Sequence, residues 1–155
     1  METVENLKQF PLFQNLSEQQ LMLLGAIAKK VYFYPGTIIY EEEDPADSFY
    51  AIATGSVRVS KISSGGEEEI YHLGPGSFFG ELAALGCPAR NTTVTAHETT
   101  GGVRFDCDDF RELLEDDCEL AAKFYEALAH ELARRLDRLS GETAFLKAFV
   151  QERLH

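Results

Sequence analysis

Residues 78–94 read Phe78-Phe79-Gly80-Glu81-Leu82-Ala83-Ala84-Leu85-Gly86-Cys87-Pro88-Ala89-Arg90-Asn91-Thr92-Thr93-Val94. Several residues here have the chemistry to hold a phosphorylated sugar. Leu82-Ala83-Ala84-Leu85 reads as a single helical turn set between strand-like stretches. A helix N-terminus presents unbonded backbone N–H groups and a partial positive charge, which suits a phosphate. Gly80, just before the turn, has no Cβ and lets a ligand approach the backbone closely. Arg90 follows a loop containing Gly86 and Pro88, and a planar guanidinium takes two phosphate oxygens at once. Glu81 has no basic partner within this window, and a carboxylate there can accept from a sugar hydroxyl. One cation, one acceptor and one turn N-terminus together match a ribose phosphate. The plain alternative is a tight turn in which Glu81 and Arg90 pair with each other or with water.

Three zones of sequence must position these residues. Residues 1–29 read as short helices: Leu7, Phe10, Leu12, Phe13 and Leu16 cluster around Pro11, which limits helix on either side. Ser17 with Gln20 has the spacing of a capping box, and Leu21, Leu24 and Ile27 follow at helical spacing. Residues 30–106 read as strands: Val31–Tyr34, Thr37–Tyr40, Phe49–Ala53, Val57–Ile62, Glu69–Leu73, Thr92–Ala96 and Gly102–Phe105. Pro35-Gly36, Asp44-Pro45, Gly55-Ser56, Gly65-Gly66, Gly74-Pro75-Gly76 and Gly101-Gly102 punctuate them, with Ser64-Gly65-Gly66-Glu67 as a hairpin tip. Many short strands at regular spacing predict a mainly β, jelly-roll (double-stranded β-helix) barrel. Residues 107–155 read as helix, with a short piece from Asp108-Asp109-Phe110 and a longer one from about Asp117. The longer helix has an apolar stripe of Ala121, Phe124, Leu128, Leu132, Leu136 and Leu139. Gly141 is expected to break or bend it before a last amphipathic piece with Phe145, Leu146, Phe149 and Val150. The whole chain, 1–155, is expected to be one domain.

Composition excludes several functions. The net charge of −12 repels nucleic acid, whose non-specific affinity comes from Lys and Arg. The three cysteines, Cys87, Cys107 and Cys118, are odd in number and lack CxxC spacing, which argues for a reducing compartment and against a disulfide framework. No apolar run has membrane-spanning length and no signal peptide is evident. A cytoplasmic protein is therefore expected. The four histidines, His72, His97, His130 and His155, are scattered, so no metal site is expected. The acidic run Glu41-Glu42-Glu43-Asp44 reads as a solvated loop. No nucleophile is paired with a base, so no enzyme is expected.

The segment 78–94 resembles the phosphate-binding cassette of cyclic-nucleotide-binding domains, as in protein kinase A regulatory subunits and the bacterial catabolite activator. That pattern runs Phe-Gly-Glu-Leu/Ile-Ala-Leu, a short loop, Arg-small-Ala-Thr/Ser, then Val. Phe79, Gly80, Glu81, Leu82, Ala83, Arg90, Thr93 and Val94 match. The likeness extends outward through Pro11-Leu12-Phe13, Pro35-Gly36, Asp47-Ser48-Phe49-Tyr50-Ala51-Ile52, Gly55-Ser56-Val57 and Leu73-Gly74-Pro75-Gly76. The resemblance implies a ligand, cAMP or cGMP, and no separate cofactor. Arg90 would neutralise the cyclic phosphate and Glu81 would take the ribose 2′-hydroxyl. Backbone N–H groups of Leu82, Ala83 and Asn91 would add phosphate contacts. Asn91 and Thr92 stand where the family has small residues, and Glu43 stands where it often has glycine.

The resemblance also implies roles for the last helix. Leu132, Leu139 and Leu146 fall seven apart, a spacing that allows a homodimer seam. Arg135 is a candidate to lie near the ligand, with a solvent-facing side chain as the alternative. Where the activator has a Thr-Ser pair on adenine, this chain has Leu139-Ser140, so Ser140 is the remaining candidate. The chain stops at Arg153-Leu154-His155, before room for a helix-turn-helix, so no direct DNA contact is expected. A downstream protein partner would read the ligand state through these helices. The other expectation is a degenerate scaffold, which keeps the fold for dimerisation or docking without ligand.

Overall fold

The computed structural model describes residues 4–154, with the side chains of residues 4, 63, 143, 145, 146, 153 and 154 outside that description. The expectations placed on His155 and on the Phe145 and Leu146 side chains therefore fall outside the described residues.

The chain opens with α1 (Val4–Lys8), a 3-10 turn over Pro11–Phe13, and α2 (Glu18–Ile27). The capping box forms as read: Ser17 Oγ accepts from Gln20 N–H at 3.2 Å and Gln20 Oε1 accepts from Ser17 N–H at 2.9 Å. Eight strands follow: β1 (Lys29–Phe33), β2 (Ile38–Tyr40), β3 (Ser48–Thr54), β4 (Val57–Ser63), β5 (Gly66–Leu73), β6 (Phe78–Phe79), β7 (Thr93–Ala96) and β8 (Thr100–Asp106). They form two antiparallel four-stranded sheets, ordered β1-β8-β3-β6 and β2-β7-β4-β5.

Period-2 alternation puts two different apolar sets on the two faces of β3. Tyr50 and Ile52 turn into the space between the sheets and meet Tyr40, Val57, Val59, Leu73, Phe79 and Val94. Phe49 and Ala51 turn outward, under the helices, onto Phe105, Phe110 and Phe124. Because helices cover its outer side, β3 is buried on both faces from Ser48 to Ile52.

α3 (Cys107–Asp116) starts on an Asp106 carboxylate that accepts from the N–H groups of Asp108 and Asp109. α4 (Cys118–Leu154) starts at Asp117, whose Oδ1 accepts from Leu120 N–H at 3.0 Å.

Four sequence expectations change. The two-residue β6 was not foreseen, because Phe78-Phe79 is too short to show a period and is defined only by pairing with Tyr50 and Ala51. Gly101-Gly102 does not punctuate; it lies inside β8, where a Cβ on Gly102 would stand 2.1 Å from the Ala51 carbonyl oxygen. Gly141 does not break α4, which runs unbroken through it. A helical glycine costs only about 1 kcal/mol against alanine, too little to end a helix of 37 residues. The apolar stripe of α4 also divides: Phe124 and Leu128 are buried against the barrel, while Leu136 is 66% exposed.

Candidate functional site

β6 leads directly into the cassette. Gly80 adopts φ +78°, and a 3-10 turn over Glu81–Ala83 follows. The expected helical turn is thus a 3-10 turn shifted one residue earlier. Its first internal bond runs from Ala83 N–H to the Gly80 carbonyl at 3.2 Å, and the next from Ala84 N–H to Glu81 at 3.0 Å. Ala83 N–H, expected to face a phosphate, is therefore engaged within the turn, whereas the N–H groups of Glu81 and Leu82 precede its ladder. The loop that returns to Arg90 is tied to residues 43–46: Arg90 N–H donates to Asp44, Glu43 N–H to Arg90, and Ala46 N–H to Pro88. This pairing forces Glu43 to φ +72°, the left-handed region in which glycine is at ease.

A cavity of about 70 Å³ opens between cassette and barrel. Gly80, Glu81, Leu82, Ala83, Arg90, Asn91 and Thr92 all line it, so the sequence candidates from the cassette converge on one space. Arg90 is 5% exposed. Its guanidinium lies 4.0 Å from the centroid of the Tyr40 ring, donates from Nη2 to Ser48 Oγ at 3.1 Å and points Nη1 at the Gly80 carbonyl at 3.4 Å. Its nearest carboxylate, Asp47, is 3.7 Å away and largely exposed, and Arg104 sits at the same distance from it. Arg90 Nε is buried and makes no hydrogen bond among the described residues. A buried cation held by neutral groups, with a donor left over, is an arrangement that an anion completes. Gly80 is needed here twice over: for its positive φ, and because a Cβ would stand 2.9 Å from Arg90 Nη1.

Glu81 does not pair with Arg90. Its partner comes from α4, far along the chain: Arg135 Nη1 lies 3.2 Å from Glu81 Oε1, with both residues 8% exposed. Arg135 also donates from Nη2 to the Phe78 carbonyl at 2.7 Å, and its guanidinium lies 4.5 Å from the Phe78 ring centroid. Glu131, one turn earlier on α4, is 3.7 Å from Arg135 Nε. The solvent-facing alternative for Arg135 is thus excluded. Burial pushes the Glu81 carboxyl above its ordinary value, and Arg135 opposes that push without cancelling it.

Three further residues were not singled out by the sequence. Ser48 is buried and polar at a position that alternation points between the sheets, a signal that was present in β3. Tyr40 carries the Arg90 guanidinium, and burial raises its hydroxyl pKa well above the usual tyrosine value. Tyr71, on β5, lines the same cavity. Thr92 lines the cavity together with Tyr40. Ser140 does not line the cavity; it is exposed, in a surface hollow with Leu136, Leu139, Ala144 and Lys147. His72 and His97, distant in sequence, meet edge to face with ring centroids 4.8 Å apart. No cluster of His, Cys, Asp or Glu among the described residues is arranged to hold a metal. No described helix is long and apolar enough to cross a membrane.

Comparison with known proteins places this geometry. Residues 30–117 match the model of the cyclic nucleotide-binding domain. The chain is 32% identical over 139 residues to cGMP-dependent protein kinase, isozyme 1, of Drosophila melanogaster, covering 86% of this chain and 18% of the kinase. It thus spans under a fifth of that relative's length. Among solved structures, the catabolite activator protein of Thermus thermophilus superposes with a TM-score of 0.73 at 28% identity, covering 88% of this chain and 63% of the other. The regulatory domain of Toxoplasma gondii PKA, co-crystallised with cAMP, superposes with a TM-score of 0.66 at 28% identity, covering 73% of this chain and 43% of the other.

Proposed function

The chain belongs to the cyclic nucleotide-binding domain family, and from that premise we propose that it binds cAMP or cGMP at the cassette and reports occupancy through α4. The observation that carries this reading is Arg90: a buried guanidinium held by a serine hydroxyl, a carbonyl and a tyrosine ring, lining the cassette cavity with no buried carboxylate beside it. The cyclic phosphate sits against Arg90 and the N–H groups of Glu81 and Leu82. The ribose 2′-hydroxyl donates to Glu81, and Asn91 lies at the rim. Because Glu81 also holds Arg135, a ligand that engages Glu81 acts on α4 in the same contact, and differential affinity for two positions of α4 is what transmits a signal. No chemical step is assigned to the site; the role is regulatory, in the cytoplasm, where the free cysteines are at home.

The second part of the reading is a homodimer through α4. Leu132, Leu136 and Leu139 continue a heptad-like stripe, and Leu136 leaves the barrel surface exposed at 66%. Calorimetric titration with cAMP and with cGMP tests the ligand, and sedimentation with and without nucleotide tests the dimer. Micromolar binding that Arg90→Ala abolishes supports the reading. Binding weaker than millimolar for both nucleotides, with a dimer that persists regardless, overturns it in favour of a ligand-free scaffold.

A further inference from the structure

The acidic run Glu41-Glu42-Glu43-Asp44 reads in the sequence as a solvated loop, and for Glu41, Glu43 and Asp44, which are exposed, it is one. Glu42 is half-buried and bonded twice. Its Oε1 accepts from Ile62 N–H on β4 at 2.6 Å, and its own N–H donates to Thr93 Oγ1, at the start of β7, at 3.1 Å. The four residues form a tight turn, closed by Asp44 N–H to the Glu41 carbonyl at 3.1 Å and by Glu41 N–H to Asp44 Oδ2 at 2.9 Å. Glu43 is the third residue of the turn, a place where a positive φ calls for Gly or Asn. At φ +72° it is the one non-glycine residue with positive φ among the described residues, so the turn is strained. The strained residue carries Arg90: Glu43 N–H donates to the Arg90 carbonyl at 2.9 Å, and Arg90 N–H donates to the Asp44 carbonyl at 2.9 Å. Pro45 bridges Ala89, and Ala46 N–H donates to the Pro88 carbonyl at 3.0 Å. Residues 42–46 are thus a strap, fixed to the barrel through Glu42 and bonded to the loop that bears Arg90. The Arg90 side chain meets a hydroxyl, a carbonyl and a ring, with its carboxylate neighbour exposed, so its guanidinium sits where its backbone is held.

We propose that Glu42 is a positioning residue for the cyclic phosphate: its carboxylate fixes the strap to β4, and the strap holds Arg90 toward the cavity. This rests on the reading given under Proposed function. Glu42 does not line the cavity and acts through Arg90. An ionised acceptor on a backbone N–H is the stronger class of hydrogen bond, and this one offsets the strain at the next residue. Without it the turn relaxes toward negative φ and swings the Glu43 N–H off the Arg90 carbonyl. With glycine at position 43 there is no strain to offset, so the bond from Glu42 becomes dispensable.

The test is a double-mutant cycle of Glu42→Ala and Glu43→Gly, with Glu42→Gln as the conservative variant, titrated with cAMP and with cGMP by calorimetry. Amide protection factors are measured by NMR hydrogen exchange without ligand. Glu42→Ala is expected to weaken nucleotide binding about 10-fold in the wild-type background and less than about threefold in the Glu43→Gly background. Glu42→Gln keeps most of the affinity, because an amide oxygen still accepts from Ile62 N–H. Protection of the Glu43 and Arg90 amides falls in Glu42→Ala, while the β3–β8 ladder keeps its wild-type protection. Glu43→Gly alone raises protection at Arg90, a result that does not depend on Glu42→Ala being folded, and a fall there overturns the proposal. Equal loss of affinity in both backgrounds, or lost protection in the β3–β8 ladder as well, makes Glu42 a merely structural residue and overturns it. So does an affinity indifferent to Glu42→Ala. A wild-type chain that binds neither nucleotide overturns the parent reading and this one together, an outcome distinct from failure of the Glu42 step alone.

Discussion

Two arginines are buried at this site, and they are held in opposite ways. Arg135 arrives from α4 and meets a buried carboxylate, Glu81, at 3.2 Å and a carbonyl at 2.7 Å. Its charge is compensated inside the protein. Arg90 arrives from the cassette loop and meets a serine hydroxyl, a carbonyl and a tyrosine ring, with its nearest carboxylate exposed and 3.7 Å away. Its charge is oriented but not compensated. A buried pair and a buried single cation do different things: removing one member of a pair strands the other, whereas a single cation bound by neutral groups waits for an anion. The comparison teaches that Arg135 ties α4 to the cassette, whereas Arg90 has no buried carboxylate partner, which is why the proposed function assigns the phosphate to it.

The largest expected effect breaks the pair. Arg135→Met strands Glu81 and lowers folding stability by about 3–5 kcal/mol, read by chemical denaturation. Arg135→Met combined with Glu81→Leu recovers most of that loss, because two apolar side chains replace both charges. If the double variant is as unstable as the single one, the two groups are not coupled as described.

The mirror experiment is Arg90→Met. It is expected to weaken cyclic nucleotide binding by about 2–5 kcal/mol, tens to thousands of fold, because the phosphate loses its only buried cation partner among the described cassette residues. Folding stability falls by less than about 1 kcal/mol, since no buried carboxylate is left behind. A stability loss matching that of Arg135→Met erases the distinction between the two arginines.

Gly80→Ala perturbs Arg90 alone. A Cβ at φ +78° is strained, and it would stand 2.9 Å from Arg90 Nη1 and 3.2 Å from the Ser48 carbonyl oxygen. A loss of about 1–2 kcal/mol in stability is expected, with weaker nucleotide binding, both measured on one preparation. Tight binding by this variant contradicts the close approach of Arg90 to Gly80.

The smallest effect is in pH. The folded-state value of Glu81 is raised above its ordinary 4.5 by burial, so the fold disfavours the ionised form at neutral pH. As pH falls through the raised value Glu81 takes up a proton, and its contribution to stability is gained, becoming complete below 4.5. The stability difference between wild type and Glu81→Gln therefore grows in favour of wild type from neutral pH toward 4.5. Nucleotide affinity is expected to move the other way, because a protonated Glu81 is a poorer acceptor for the ribose hydroxyl. Stability and affinity that fall together over this window contradict the assigned environment of Glu81.

The sequence alone determined the three zones of the chain and most of the strands, since capping residues, alternation and turn chemistry are local signals. Ser17 with Gln20 formed the cap its spacing implies. It also put Gly80, Glu81 and Arg90 on one connection, between β6 and β7, which lie in different sheets; their meeting at one cavity depends on the bonds that tie Arg90 to Glu43 and Asp44. Only the tertiary structure decided the partner of Glu81. That partner is 54 residues away in sequence, and an ion pair across such a separation leaves no local pattern in either segment. For the same reason, Arg135 read equally well as a surface side chain, Ser48 as an ordinary strand residue and Tyr71 as one more β-former. Gly141 shows the converse: a local breaker signal of about 1 kcal/mol does not interrupt a helix of 37 residues. Local chemistry specifies elements and the residues close to them in sequence. Which buried arginine meets a buried carboxylate, and which does not, depends on where α4 lands on the barrel.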